Sequence, residues 1–597
     1  MSELKTNVLY YGDNLEILRH HIPDESVDLI YLDPPFNSQA DYNVLFREES
    51  GERSAAQIKA FSDFWHWDSA AEETYRDIVE TCPDKVATMV SAMRQAINDT
   101  DVMAYLVMMT VRLVELRRKL KPAGSLYLHC DPTVSHYLKV VMDTVFGPTS
   151  FRNEIVWRRT GSHNQINRFG PIHDTLLFYA KSAGYAFSRI YRPYTKGHVA
   201  TYFKKFDGRG PYWTNALTGA GTRKGDSGKP WRGWDPTKRG RHWAIPGRIA
   251  EELGISDLPL LDKLEAMYRA GFVQLPGPGS KALPTYTQYL ADSAGLPAQD
   301  IWAYQPHTKG VLHGNSDEGI DEDVRWLTPT DKERLGYQTQ KPEGLLERII
   351  RASSNEGDVV LDPFCGCGTA VVAAQKLNRR WIGIDITHLA ITVMKERLRD
   401  AFSGIEFEVV GEPKDVESAR ALAAQDRYQF QWWALSLVNA RPAGDDRKKG
   451  ADTGIDGVIG FVEEKGKAAR VIVSVKSGGV NVGQVRDLKG VVEREKASIG
   501  LFITLEAFTQ PMHTEAVSAG FYHSDRWQKD YPKIQILTVE ELLAGREPLL
   551  PPFSAGGFAK AERISREAAE QRKEEGGAGA VDYTGMLKPR QRGAADE

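Results

Sequence analysis

Cysteine is scarce in this chain, four residues in 597. So few exclude a disulfide framework and fit a reducing cytoplasm, which is the expected location. Cys365 and Cys367 stand one residue apart with no second pair and no histidine at a matching distance, which argues against zinc. No apolar run approaches the length of a membrane helix, and Met1-Ser2-Glu3-Leu4-Lys5 lacks a signal-peptide pattern, so no membrane partner is expected. The charge imbalance is small as well, −4 overall, so partners must be read from local charge. What remains is an ordinary globular composition, 41% hydrophobic and 26% charged. The length suggests about three or four domains.

Two stretches stand out against that background. Val27-Asp28-Leu29-Ile30-Tyr31-Leu32 reads as a buried parallel strand, and it runs into Asp33-Pro34-Pro35-Phe36. Neither proline has an N–H to continue a ladder, so an acid, bare carbonyls and an aromatic ring are held on a stiff turn. Such a turn can be simple architecture. It also suits a flat substrate whose amino group needs two acceptors, placed outside the carboxyl end of a strand. The second stretch is Val359-Val360-Leu361-Asp362 followed by Pro363-Phe364-Cys365-Gly366-Cys367-Gly368-Thr369 and a helix from Ala370. The next strand, Trp381 to Asp385, ends on a further acid 23 residues past Asp362, near the spacing of an acid that binds a ribose. The loop holds no lysine, so it is no triphosphate loop. An acid beside the glycines repels phosphate and favours a cationic ligand such as S-adenosylmethionine, with its ammonium and sulfonium.

Between and around them the pattern alternates strand and helix. Val8 to Tyr11 reads as a strand ending at Gly12-Asp13-Asn14; residues 54–120 turn helical; Gly124 to His129, Ile155 to Trp157 and Thr175 to Tyr179 read as strands, and His136 to Phe146 as a helix. Glu347 to Arg351 reads as a return of the sheet pattern. The alternation predicts an α/β, doubly wound sheet.

From Arg189 to Arg248 the composition shifts to 14 Lys or Arg against three Asp, a formal +11. Ten aromatics are interleaved: Tyr191, Tyr194, Tyr202, Phe203, Phe206, Tyr212, Trp213, Trp231, Trp234 and Trp243. Basic side chains answer phosphates and aromatics stack on bases, so nucleic-acid contact is expected here, with Arg223, Lys224, Arg232, Lys238, Arg239 and Arg241 as candidates.

A third region begins near Glu412. It is helical from Asp415 to Ala440, then places Asp456 on one strand of a hairpin and Lys476 at the end of the next, Val471 to Lys476. An acid and a lysine so spaced are the layout of a Mg²⁺-dependent nuclease, the acid binding metal and the lysine steadying a hydrolytic water. From about Ala555 the chain is polar and glycine-rich and is read as mostly disordered, with a short helix around Arg563 to Lys573.

Together, Asp33-Pro34-Pro35-Phe36, Asp362 to Thr369, and Thr339-Gln340-Lys341-Pro342-Glu343 resemble the amino-group DNA methyltransferases. The catalytic motif precedes the cofactor motif, as in the permuted β class with its many adenine-N6 enzymes. The resemblance covers about residues 8–190 and 331–410. It implies a Rossmann-like methyltransferase sheet split into 1–188 and 331–411, with a target-recognition insertion at 189–330. It also implies methyl transfer from S-adenosylmethionine to adenine N6 of a flipped base in double-stranded DNA, in a restriction–modification or phage-defence system. Asp33 and the Pro34 carbonyl, with Pro35, would hold the amino group, and Phe36 would stack on the base. Asp362, Phe364, Gly366, Gly368 and Thr369 would line the methionine end of the cofactor with Lys341 nearby, Asp385 would hold the ribose and Asp13 the adenine edge. For Asp13, capping of a helix is an equal reading. No enzyme nucleophile is needed, and the chain has no Pro-Cys pair of the cytosine-C5 kind. Partners implied are a second copy or restriction-system subunits. Residues 412–552 resemble the Mrr-like branch of the PD-(D/E)XK nucleases through Gly454-Ile455-Asp456-Gly457 and Val475-Lys476, with 553–597 as tail. Ser474 stands where that family has Glu or Gln, and serine is a poorer ligand. The alternatives are a bifunctional methyltransferase–nuclease, a cytosine-N4 enzyme whose C-terminal domain only binds DNA, and an RNA or protein methyltransferase.

Overall fold

The structure is a computed structural model that describes residues 4–35, 67–162, 167–277, 280–328, 331–335, 337, 339–442, 454–463 and 468–551. Phe36, the tail 553–597 and its expected short helix lie outside the described residues.

A nine-stranded sheet organises the first two thirds of the chain. From edge to edge it runs Ile301–Trp302, Phe151–Arg158, His173–Ala180, Leu120–Cys130, Val27–Leu32, Val359–Asp362, Arg380–Asp385, Val8–Tyr11 and Glu408–Val410. All neighbours are parallel except those of His173–Ala180, which is antiparallel to both of its own. The near-continuous apolar runs follow from burial on both faces. Val8, Tyr10, Ile30 and Leu32 point to one core, under the helices Asp101–Lys119 and Ser135–Phe146. Leu9, Leu29, Tyr31 and Val360 point to the other, under Glu343–Ser353, Thr369–Lys376 and His388–Ala401.

The stretch Glu347 to Arg351 is not a strand. It lies inside the helix Glu343–Ser353, opened by Pro342. Leu345, Leu346, Ile349 and Ile350 recur four residues apart and are all fully buried, so the helical period outweighs the short apolar run that imitates a strand.

Between Lys205 and Tyr289 the chain builds its own small sheets: Lys205–Asp207, Gly210–Ala216, Thr285–Tyr289 and Val273–Gln274 in one, Thr218–Ala220 with Arg241–Trp243 in another. Trp231 and Trp243 pack with Leu217, Leu264 and Met267 as its core. Beyond the large sheet, a five-stranded sheet holds the hairpin Gly457–Val462 and Ala468–Lys476, continued in parallel by Ile499–Thr504 and Ile534–Thr538. No described helix is long and apolar enough to cross a membrane.

Gly368 begins the helix Thr369–Lys376 with φ +78°, and a Cβ there would lie 2.7 Å from Met394 Cγ. Gly368→Ala is therefore expected to lower stability by about 1–3 kcal/mol through backbone strain and overlap. Thermal unfolding read beside the wild type checks this.

Candidate active site

Four adjacent parallel strands end on one edge of the sheet, and each leads into an aspartate: Val27–Leu32 into Asp33, Val359–Asp362 with Asp362 as its last residue, Arg380–Asp385 with Asp385, and Val8–Tyr11 into Gly12-Asp13. Their carboxyl ends frame a cavity of about 340 Å³. Ligands of open α/β sheets sit at this position. Asp13, Asp33, Pro34, Pro35, Lys341, Asp362, Phe364, Gly366, Thr369 and Asp385 all line it. The pairing that brings the two motifs together is Leu29 with Val360 and Ile30 with Leu361.

Asp33 is held from one side. Lys341 Nζ donates to its Oδ2 at 2.5 Å and to the Thr339 carbonyl at 3.3 Å. The other oxygen, Oδ1, is buried with no hydrogen-bond partner among the described residues. An acceptor left so is costly unless a ligand donor completes it. Lys341 thus sits against the catalytic motif, whereas the sequence reading placed it with the cofactor.

The glycine loop is tied to its neighbours. Asp385 accepts from the Gly366 N–H at 2.9 Å through Oδ2 and from the Thr387 N–H and hydroxyl, each at 2.9 Å, through Oδ1. Oδ2 keeps a lone pair for a further donor, while Oδ1 is already doubly engaged. Asp362 accepts from the Phe364 N–H at 3.1 Å. Burial pushes its carboxyl well above the usual range; the Phe364 N–H opposes this, while Asp33 and Asp385 add to it. Burial raises Asp385 as well. Gly366 has φ +52°, and a Cβ there would meet the Tyr337 ring and hydroxyl at 3.2–3.4 Å, so the loop lies close under that ring.

Gly368 does not line the cavity; it faces Met394 on the neighbouring helix, and its use is close packing at a left-handed N-cap. Asp13 does cap the helix Asn14–His20, accepting from Leu15 N at 2.7 Å, and also pairs with Arg112 at 3.0 Å. Arg112 Nε further donates to Asn14 Oδ1 at 2.6 Å, and Asn14 Nδ2 donates to the Pro363 carbonyl at 2.8 Å, which locks the two loops together.

Sequence reasoning missed Arg112 and a buried polar chain behind Asp33. Tyr31, two residues before Asp33 on the same strand face, places its hydroxyl 2.8 Å from His129 Nδ1. His129 Nε2 lies 3.1 Å from Asp174 Oδ2, and Arg159 Nε lies 2.9 Å from Asp174 Oδ1 as an ion pair without hydrogen-bond alignment. Burial pushes the Asp174 carboxyl up, but the His129 hydrogen bond and the charges of His129, Lys341 and Arg159 more than reverse this and hold it below the usual range. An ionised Asp174 can only accept, so His129 Nε2 carries the proton of that bond. The three residues come from three different strands, so no local spacing could have flagged them. Trp432, from the helix Arg427–Ser436, also lines the cavity.

Two of the basic candidates are engaged within the protein. Arg232 forms a two-point pair with Glu265 at 2.9 and 2.7 Å and lies 4.1 Å over the Tyr268 ring. Its side-chain hydrogen bond, ahead of a small burial effect, helps bring Glu265 down to about 2. Arg241 donates to the Thr218 hydroxyl and carbonyl, both at 2.7 Å. Arg223, Lys224, Lys238 and Arg239 are exposed. Tyr194, Phe203, Trp231 and Trp243 are buried, because a small unit needs large side chains to make a core; Tyr191, Tyr202 and Phe206 are exposed.

In the third region Asp456 Oδ2 accepts from the Val475 N–H at 2.7 Å and the Ser474 hydroxyl at 3.1 Å, with Lys476 Nζ 3.7 Å away. No group of three His, Cys, Asp or Glu that could hold a metal occurs among the described residues. Asp456 and Lys476 are adjacent, but the Ser474 hydroxyl and the Val475 N–H occupy Oδ2, and among the described residues no cluster of acids surrounds them.

An α/β sheet with an acid-lined cavity at its carboxyl edge and a Pro-rich acidic turn beside a glycine loop defines a group-transfer site. The chain belongs to the DNA methylase family, whose N6/N4 methyltransferase model matches residues 27–396. Residues 431–544 match NACHT-associated inactive restriction endonuclease 1, so a restriction-endonuclease-like domain follows the methyltransferase. Type II methyltransferase M.EcaI of Enterobacter cloacae is 30% identical over 294 residues, 49% of this chain and 57% of that one. The Mod subunit of the type III restriction-modification enzyme StyLTI of Salmonella typhimurium is 25% identical over 379 residues, 62% and 50% of the two. Type II methyltransferase M.HpaI of Haemophilus parainfluenzae is 54% identical over 116 residues, 19% and 36%. The chain spans about half the length of the first two of these relatives.

Asp362 holds its proton more tightly folded than unfolded. Its contribution to stability is complete below the usual carboxylate range and is lost as pH rises through the raised folded value. Asp362→Asn is therefore expected to raise the melting temperature at neutral pH, by about 2–4 °C if ~1 kcal/mol is relieved, and to flatten that part of the pH profile. Thermal melts from acid to neutral pH check both.

Proposed function

We propose that the chain transfers a methyl group from S-adenosylmethionine to the exocyclic amino group of adenine, N6, in double-stranded DNA, as the modification enzyme of a restriction–modification or phage-defence system. The observation that carries this reading is Asp33, anchored by Lys341 on one oxygen and open on the other, at the mouth of a cavity shared with the Gly366 loop. We assign 1–188 and 331–411 to the methyltransferase, 189–330 to target recognition and 412–552 to the restriction-endonuclease-like domain.

The residues fit the cofactor. Four carboxylates against two cations line the cavity, and the buried Asp362 gains from a nearby cation. Asp362, Phe364, Gly366 and Thr369 would face the methionine end, and the open lone pair of Asp385 Oδ2 the ribose. When bound, S-adenosylmethionine supplies an electrophilic methyl on sulfonium. The amino nitrogen, weakly nucleophilic because its lone pair is conjugated with the ring, is inaccessible within the stacked duplex, so the base must be flipped out to reach this edge. Asp33 Oδ1 accepts one amino N–H and the Pro34 carbonyl the other, which aims the nitrogen lone pair toward the methionine end. Lys341 keeps the carboxylate from rotating away. The Tyr31–His129–Asp174 chain stiffens the strand end behind it. The gain is alignment together with a preorganised polar site. The nitrogen sheds a proton after transfer, and Asp33 is the base in reach.

Adenine is favoured over cytosine N4 by the aspartate that opens Asp33-Pro34-Pro35-Phe36. Transfer of labelled methyl to DNA, followed by digestion to nucleosides, is expected to give N6-methyladenine; label in N4-methylcytosine overturns adenine, and label in RNA alone overturns DNA. Asp33→Ala is expected to cut transfer by about 10²–10³-fold or more while cofactor binding persists. Among the exposed cations, Arg223, Lys224, Lys238 and Arg239 are the candidates for DNA phosphates. The Mod-subunit relative supports association with restriction-system subunits over a simple homodimer.

For the C-terminal domain we favour binding without cleavage, because Ser474 rather than an acid faces Asp456. Plasmid DNA with Mg²⁺ is expected to stay intact with the wild type and with Asp456→Ala alike, methylated or not. Cleavage abolished by Asp456→Ala establishes the bifunctional alternative instead.

A further inference from the structure

Trp432 lies within the segment matched to the restriction-endonuclease family, yet it lines the methyltransferase cavity, as do Asp385, Ile386 and Thr387. We propose that Trp432 is a cofactor-contacting residue and that, through it, the C-terminal domain is coupled to occupancy of the cofactor site. The proposal rests on the reading of this cavity as the S-adenosylmethionine site.

The hydrogen bond from His388, three residues past Asp385, to Gln429 of its helix points to the adenosine half, since Asp385 is the acid assigned to the ribose. An indole at that wall offers a flat surface for an adenine ring, and it is 7% exposed, so it is held rather than free to turn. The helix that carries it is anchored at its N-terminal turn. Asp426 caps it, accepting from Tyr428 N at 2.8 Å and Gln429 N at 3.2 Å. Gln429 then accepts from the His388 N–H at 3.2 Å, at the start of the methyltransferase helix His388–Ala401. The His388 ring stacks on Tyr11, 3.6 Å between centroids, where the strand Val8–Tyr11 ends beside Asp385.

Trp432 also packs, with Phe430 and Trp433 of the same helix, in a core that includes Val471 and Val473 of the strand Ala468–Lys476. Cys367, from the glycine loop, belongs to that same core. One continuous apolar body therefore runs from the cofactor loop to the strand that ends at Lys476. Packed interiors of this kind transmit displacement rather than absorb it. A ligand seated against Trp432 favours one seating of the helix, and by linkage that seating favours the ligand equally. A C-terminal domain that binds DNA without cutting it would thereby sense whether the methyltransferase is loaded.

The test uses the full chain with S-adenosylhomocysteine as probe. Calorimetry is expected to show binding by the wild type, a loss of roughly tenfold or more in Trp432→Ala and recovery of most of it in Trp432→Phe, which keeps an aromatic wall. Hydrogen exchange on the wild type is expected to show added protection on binding over 427–438 and on the strand 468–476, which a purely local packing role would not produce. Equal affinity of Trp432→Ala and wild type, or protection confined to the methyltransferase, overturns the coupling and leaves the cofactor reading standing. Failure of the wild type to bind overturns the cofactor reading and the coupling with it. Should Trp432→Ala not fold, Trp432→Phe and the wild-type exchange pattern decide.

Discussion

The parallel pairing of Val27–Leu32 with Val359–Asp362 is the constraint on which everything else depends. It sets two turns side by side that lie more than 300 residues apart in the chain, and it does so with backbone hydrogen bonds rather than side chains. The Lys341–Asp33 pair, separated by 308 residues, then becomes a local contact. Its two ends are taken out of water at a cost that a single poorly placed ion pair does not recover. The sheet makes the placement good, because both residues leave rigid elements within a few bonds: Asp33 a central strand, Lys341 the segment that opens the helix Glu343–Ser353.

With that pairing in place, charge follows from topology. Four neighbouring strands point the same way, so four acids collect at one edge. Backbone N–H groups of the Gly366 loop and the Asn14 helix, with Arg112, answer part of this charge. Asp362 is left least compensated, and burial drives its proton affinity up. A cation seated at this edge would favour the ionised form of the acid.

The C-terminal domain shows the opposite economy. Asp456, Ser474, Val475 and Lys476 keep a nuclease-like arrangement, but the serine hydroxyl and an amide occupy one of the acid's two oxygens. The domain is also no tethered appendage. Its helix Arg427–Ser436 shares a core with the cofactor loop and reaches the cavity wall, so the two halves of the chain meet at the chemistry rather than beside it.

Alternating strand and helix, the acids at strand ends and the glycine loop were legible in the amino-acid sequence, because each is a local pattern in which backbone geometry and residue type coincide. So was the hairpin carrying Asp456 and Lys476. Glu347 to Arg351 was misread since five apolar and charged residues satisfy either period, and only the full run from Pro342 chooses the helix. Gly368, Arg232, Arg241 and the buried tryptophans looked like binding groups by type, but a glycine's neighbour, an arginine's partner and a tryptophan's burial are properties of packing. The Tyr31–His129–Asp174 chain, the Arg112 clamp and Trp432 had no sequence signal at all, because each joins strands or domains that are remote in the chain. The sequence by itself determined which chemistry the strand ends could carry; the tertiary structure alone decided which of those groups face the cavity, because only long-range pairing sets the direction and company of a side chain.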